Sequence, residues 1–95
     1  MRAVVVARGD AGTTRISVDA PGARVVEIAG DFTDWKPVPL ARGADGWWSV
    51  ARALPPGVRQ LAVRADGGAW MPPPGLAVTR DEFGEPVGLL VVPER

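Results

Sequence analysis

Short apolar runs, broken every few residues by glycine or proline, make up most of the chain, and inside them hydrophobic and polar positions alternate with a period of two. Twelve glycines and ten prolines leave no window of a dozen residues with a helical period of 3.6, so the pattern excludes helix. Strands are predicted over 3–8, 14–19, 24–29, 47–54, 58–65 and 88–92. Turns at "APGA" (20–23), "GADG" (43–46) and "PPG" (55–57) separate them, which reads as an antiparallel sandwich.

Successive side chains of a strand point to opposite faces, so the alternation also assigns the buried faces. In "RVVEIAG" Val26 and Ile28 point inward and Val25 and Glu27 outward. In "VRQLAVRA" the inward row is Leu61, Val63 and Ala65, with Gln60, Ala62 and Arg64 outward. In "WWSVARAL" the inward row is Trp48, Val50 and Leu54, while Arg52 requires a strand end or a bulge and Trp47 faces out. The "MPPPG" segment at 71–75 cannot join a central ladder, because proline has no N–H to donate. The chain is therefore expected to cross the surface there, run through "LAVTRDEFGEP", and return as a last strand.

Composition narrows the chemistry. At 95 residues the chain is one domain with a modest core. It has no cysteine and no histidine, which removes thiol nucleophiles, thiolate metal sites, the commonest general base and the commonest neutral metal ligand. Eleven basic and eleven acidic side chains cancel, so no overall field recruits nucleic acid or an acidic membrane surface. Ten arginines against the single Lys36, with abundant Ala, Gly, Val and Pro, suggest a GC-rich bacterial source. The longest apolar stretches fall far short of the roughly 20 residues that span a bilayer, and no signal peptide is visible. The expected location is cytoplasmic, with no transmembrane segment.

The acids Asp31, Asp34, Asp45, Asp66, Asp81 and Glu82 fall in loops or at strand ends, where carboxylates satisfy turn N–H groups. A glycosidase requires two carboxylates facing each other across a cleft, and so small a sandwich has little room for one. "RDEFGE" matches no calcium-ligand spacing, and "GADG" and "ADGG" precede no helix that could hold a phosphate. With no nucleophile, base, metal or cofactor motif, a non-catalytic domain is expected. The four tryptophans say more. Trp48 belongs to the core, whereas Trp35 and Trp70 sit in loops, where flat indoles stack on the apolar faces of sugars. Phe32 supplies a core aromatic from the loop of Trp35, which leaves Trp35 as an exposed platform.

In their order along the chain, a strand ending in "GDFTDW", a "GWW" strand, an "LPPG" turn, a strand ending in "ADG", a following Trp and a closing "FG…LLVV" resemble the glycogen-binding domain of AMP-activated protein kinase β-subunits. That domain belongs to carbohydrate-binding module family 48 and the isoamylase-type early-set sandwiches. The resemblance covers about residues 14–92, with the strand at 3–8 as an addition, and implies an all-β, immunoglobulin-like early-set sandwich. It further implies that Trp35 and Trp70 stack on an α-glucan oligosaccharide or polysaccharide and that Phe83 contacts sugar. A lysine and an asparagine that bind hydroxyls in the family correspond here to Ala62 and Val87. At about 1–3 kcal/mol for each lost polar contact, the two losses together would lower affinity by roughly 30-fold or more. Arg64 and Gln60, each two residues from Ala62 on the same face, are the candidate replacement donors.

Two functions stand side by side. One is a carbohydrate-binding module that stacks glycogen-like or starch-like glucan on Trp35 and Trp70. The other is a protein-interaction or structural subunit, in a kinase-like complex, with a glycan enzyme or in a membrane-associated assembly. In it the charge-depleted aromatic face becomes an interface, extended by outward Trp47, by "MPPPG" and by the N-terminal strand.

Overall fold

The computed structural model describes residues 1–8 and 12–93. Two antiparallel sheets face each other. In chain order the strands are β1 (Ala3–Arg8), β2 (Thr14–Asp19), β3 (Val26–Gly30), β4 (Val38–Pro39), β5 (Ala41–Arg42), β6 (Trp48–Arg52), β7 (Gly57–Ala65), β8 (Ala77–Arg80) and β9 (Pro86–Val92). One sheet has the order β1-β2-β6-β5 and the other β4-β3-β7-β9-β8. The fold is the expected immunoglobulin-like, all-β sandwich in a single domain. No helix among the described residues is long and apolar enough to cross a membrane.

The rows read from the alternation meet between the sheets. Ile16 and Val18 of β2, Val26 and Ile28 of β3, Trp48 of β6, Leu61 and Val63 of β7, and Leu90 and Val92 of β9 form one buried cluster with Leu40 and Leu54. Burying a side chain of this kind contributes about 1.5–3 kcal/mol, so the two inner faces supply most of the stability. Phe32 packs half-buried against the same cluster. Arg52 is the last residue of β6, the strand end that its place in an inward row required. The N-terminal run is an edge strand, β1, paired with β2 from Ala3↔Asp19 to Arg8↔Thr14.

Three elements depart from the sequence reading. Val38–Pro39 pairs with β3 and Ala41–Arg42 pairs with β6, so the chain changes sheets at Leu40, which is buried in the corner and donates its N–H to the Val26 carbonyl. Two-residue strands with a proline leave too little pattern to read, and they suit sheet edges. Ala77–Arg80, expected as a surface crossing, is a strand because its register with β9 supplies partners that the sequence alone does not show. "MPPPG" is also less superficial than expected. Met71 exchanges two hydrogen bonds of 2.9 Å with Val63, and Pro73 is fully buried against Gly88, where an added Cβ would lie 2.7 Å from the proline Cδ. Proline at 72 loses nothing at the ladder, because Met71 makes the pairing.

The loop acids behave as turn acceptors. The Oδ1 of Asp66 accepts from the N–H groups of Arg24 and Val25 at 2.7 and 2.9 Å, tying the end of β7 to the entry of β3. These two donors, with a smaller contribution from the Arg24 charge, hold the Asp66 pKa below its ordinary 3.8. A depressed folded-state pKa means the tether stabilises fully above that ordinary value and is lost as pH falls through the lower, folded-state one. Asp66→Asn is therefore expected to lower Tm at neutral pH, and the gap to the parent protein should close in strong acid. Thermal unfolding followed across that range checks the sign. A gap that widens toward acid would contradict it.

Candidate functional site

Three connections meet on the outer face of the five-stranded sheet. The first is the loop after β3. Gly30 ends the strand, the chain makes a single tight turn over Asp31–Thr33, and the Thr33 hydroxyl both accepts from the Gly30 N–H and donates to the Gly30 carbonyl at 3.1 Å. Asp31 accepts from the Gln60 N–H at 3.1 Å and pins the loop to β7. The N–H of Trp35 then closes onto the Gly30 carbonyl at 2.9 Å. Asp34 and Trp35 hold φ values of +54° and +57°, left-handed conformations costing about 1–2 kcal/mol each for residues with a Cβ. A bulky residue is rare there, and such strain gathers where a loop is shaped for contact. Trp35 is left 42% exposed.

The second connection follows β7. The paired hydrogen bonds of Met71 to Val63 anchor the chain, and neighbouring Trp70 lies half-buried under the Arg64 guanidinium, 4.5 Å from ring centroid to Cζ. Arg64 in turn donates from Nε to Glu27 Oε1 at 2.8 Å. Glu27 and Arg64 are register partners on β3 and β7, so the ion pair and the cation–π contact hold one another in place. The third connection is the β8–β9 hairpin. There the Asp81 Oδ1 accepts from the N–H groups of Phe83 and Glu85, both at 2.9 Å, and Gly84 takes the positive φ of +83° that the turn needs.

These segments enclose a depression of about 400 Å³ lined by Trp35, Trp70, Ala69, Asp81, Glu85 and Pro86, with Ala29, Ala62 and Val87 as floor. Ala62 faces outward as the alternation required, yet it is buried, because the loops cover it. The walls are therefore two indoles, the floor is small and apolar, and the polar groups of the lining are carboxylates. Such an arrangement can take an apolar face flat against an indole while hydroxyls donate to the rim.

The sequence reading named five site residues, and the structure puts two of them, Trp35 and Trp70, in this lining. Arg64 stands beside it, stacked on Trp70 and paired with Glu27. Gln60 lies on the same outward row of β7, next to the Asp31 anchor, and outside the lining. Phe83 stands at the hairpin tip, 82% exposed and outside the lining as well. Asp81 and Glu85 enter the lining without having been read as site residues. Their only signal was the turn acceptor pattern of "DEFGE", which points to structure and not to a ligand. Trp47 does not extend this face. It lies on the outer side of the four-stranded sheet, so the continuous aromatic patch expected from sequence is divided between the two outer faces.

A larger depression, about 870 Å³, lies at one end of the sandwich between β1, β2, the β6–β7 connection and β9. Its described lining has neither an aromatic side chain nor a carboxylate. Its polar side chains are Arg8, Thr13 and Thr14, and it offers no indole on which a flat apolar face could stack.

No protein-family profile matches the sequence, and no curated protein matches it. Among solved structures the chain is similar to a mutant pullulanase from Paenibacillus barengoltzii complexed with maltotriose, with TM-score 0.58 and 18% identity, over 99% of this chain and 15% of that one. It is also similar to the apo pullulanase of the same organism, with TM-score 0.56 and 21% identity, over 95% of this chain and 14% of that one. The chain thus spans about one-seventh of those proteins, and at such identity the likeness is one of fold.

Gly30 is the pivot of the Trp35 loop for reasons of space and not of dihedral angle, since its φ of −164° suits any residue. A Cβ there would lie 2.6 Å from both the Gln60 carbonyl oxygen and Phe32 Cε1. Gly30→Ala is expected to cost about 1–3 kcal/mol, the usual range for overpacking. Urea unfolding measures it, and a cost near zero would show that the loop does not rest on this close approach.

Proposed function

We propose that the domain is a non-catalytic carbohydrate-binding module that takes a neutral α-glucan of the glycogen or starch type in the Trp35–Trp70 depression. The observation that carries this reading is the convergence of two indoles from separate loops on one depression with an apolar floor and hydrogen-bond acceptors at its rim. About 400 Å³ lies within the usual range for small-ligand sites, about 300–1,000 Å³. The fold likeness to a pullulanase complexed with maltotriose supports the same class of ligand, as does the resemblance of the sequence to glycogen-binding domains.

Two positions that carry hydrogen-bonding side chains in that family, Ala62 and Val87, are floor residues here. Polar contact therefore passes to the rim, where Asp81 and Glu85 accept from sugar hydroxyls. Arg64 holds Trp70 flat and offers the guanidinium donors that Glu27 leaves free. Phe83 and Gln60 reach only a chain longer than the depression, Phe83 from the hairpin tip and Gln60 from the next step along β7.

A second reading rests on a different observation. Val58 and Val91 are register partners on the outer face of the same sheet, 52% and 70% exposed. This strip suits a protein partner docking beside the depression, as in a structural or interaction subunit.

Isothermal titration with maltoheptaose separates the two. Saturable binding that Trp35→Ala and Trp70→Ala each weaken at least tenfold, about 1.4 kcal/mol, supports the saccharide reading. A flat titration of the folded domain at millimolar sugar would overturn it and leave the protein partner.

A further inference from the structure

The outer face of the four-stranded sheet holds a second depression, of about 220 Å³, lined by Val5, Arg15, Ser17, Gly43, Asp45, Trp47 and Ser49. We propose that it is a separate saccharide site, for a neutral sugar lying flat on Trp47. It does not rest on the Trp35–Trp70 reading, because it belongs to the other sheet and faces the opposite way.

Its shape follows from register. Val5 pairs with Ser17, Ser17 with Ser49 and Ser49 with Ala41, so one outward row crosses all four strands. Trp47 precedes Ser49 by two residues on that face, and Arg15 precedes Ser17 by two on the antiparallel neighbour. The two therefore flank the serine row from opposite sides, each about 7 Å along the strands. Two small hydroxyl side chains form the floor, an indole closes one end and a guanidinium the other. Val5, 51% exposed, and the Gly43–Asp45 stretch of the β5–β6 hairpin make the sides.

The polar groups are already oriented. Arg15 donates from Nη2 to the Ser49 Oγ at 2.8 Å, which lays the guanidinium over the floor. The Asp45 Oδ1 accepts from the Trp47 N–H at 3.0 Å, which sets the carboxylate beside the indole and leaves Oδ2 unused in that bond. The hairpin itself is held by Gly43 donating to the Trp47 carbonyl at 2.8 Å and by Gly46 at φ +85°. One cation and one anion balance, so the depression favours neither an anionic nor a cationic ligand. It presents a fork of donors, an acceptor and two hydroxyls around an apolar face, the complement of a neutral polyhydroxylated ring.

Next to Trp47, Trp48 fills the core, and alternation alone would be satisfied by a small polar residue at 47. The volume is below the common range for small-ligand pockets and suits one or two sugar rings. A domain with sites on both outer faces, in a body only 22 Å across its shortest dimension, can hold two glucan chains together.

The test is a ¹H–¹⁵N titration with maltoheptaose, in which each tryptophan indole N–H reports on its own surroundings. In the wild-type protein the Trp47 indole and the amides of Ser17, Gly43, Asp45 and Ser49 are expected to shift saturably at millimolar sugar. The same shifts should persist in the Trp35→Ala/Trp70→Ala variant and vanish in Trp47→Ala, whose outward position leaves the core untouched. Static Trp47-site resonances in the wild-type protein, read directly and without any substitution, would overturn the proposal whatever the Trp35 and Trp70 resonances do. Movement confined to Trp35 and Trp70 would overturn it while upholding the first site, and movement confined to the Trp47 set would do the reverse.

Discussion

The register of β7 is the constraint on which the rest depends. Its inward residues Leu61 and Val63 are fully buried and lie opposite Gly30 and Ile28 of β3. Its outward residues Ala62 and Arg64 supply the floor of the site and the guanidinium that covers Trp70. Because side chains alternate along a strand, a slip of one residue would send Arg64 into the core and Leu61 and Val63 to the surface. Core and site are thus set by the same pairing, and a slip of register would lose both.

That pairing also explains how flexible connections become a fixed site. β7 holds the Trp35 loop through the hydrogen bond from the Gln60 N–H to Asp31, and it holds the Trp70 segment through the reciprocal bonds between Val63 and Met71. Both indoles are therefore referred to one rigid strand. The left-handed conformations of Asp34 and Trp35 persist only because Thr33, Gly30 and Asp31 over-determine the loop. A platform held in this way loses little freedom when a ligand arrives, which favours binding by a small and shallow surface. The ion pair of Arg64 with Glu27 works in the same direction, since it fixes the guanidinium against Trp70 before any ligand arrives.

How much of this was legible in the sequence follows from which interactions are local. Alternation in "VVEIAG" and "RQLAVRA" is local, and it assigned Val26, Ile28, Leu61 and Val63 to the core without help. The order of "GDFTDW", "GWW" and "ADG" pointed to the sandwich and to Trp35 and Trp70. What was hidden depends on partners distant in sequence. β8 is a strand because of β9, Pro73 is buried because Gly88 leaves it room, and Asp81 and Glu85 line a site that β3 and β7 bring to them. The separation of Trp47 from Trp35 was hidden for the same reason. Only the change of sheets at Leu40 puts the two tryptophans on opposite outer faces.

The central claim is that Trp35 and Trp70, brought together by β7, hold a sugar between the loops of the five-stranded sheet. A crystal structure of the domain grown with maltoheptaose tests it most directly. The account predicts density for glucose rings stacked on both indoles, above Ala62 and Val87 and within reach of Asp81 and Glu85. An accessible depression, free of crystal contacts and empty of sugar at saturating concentration, would contradict it.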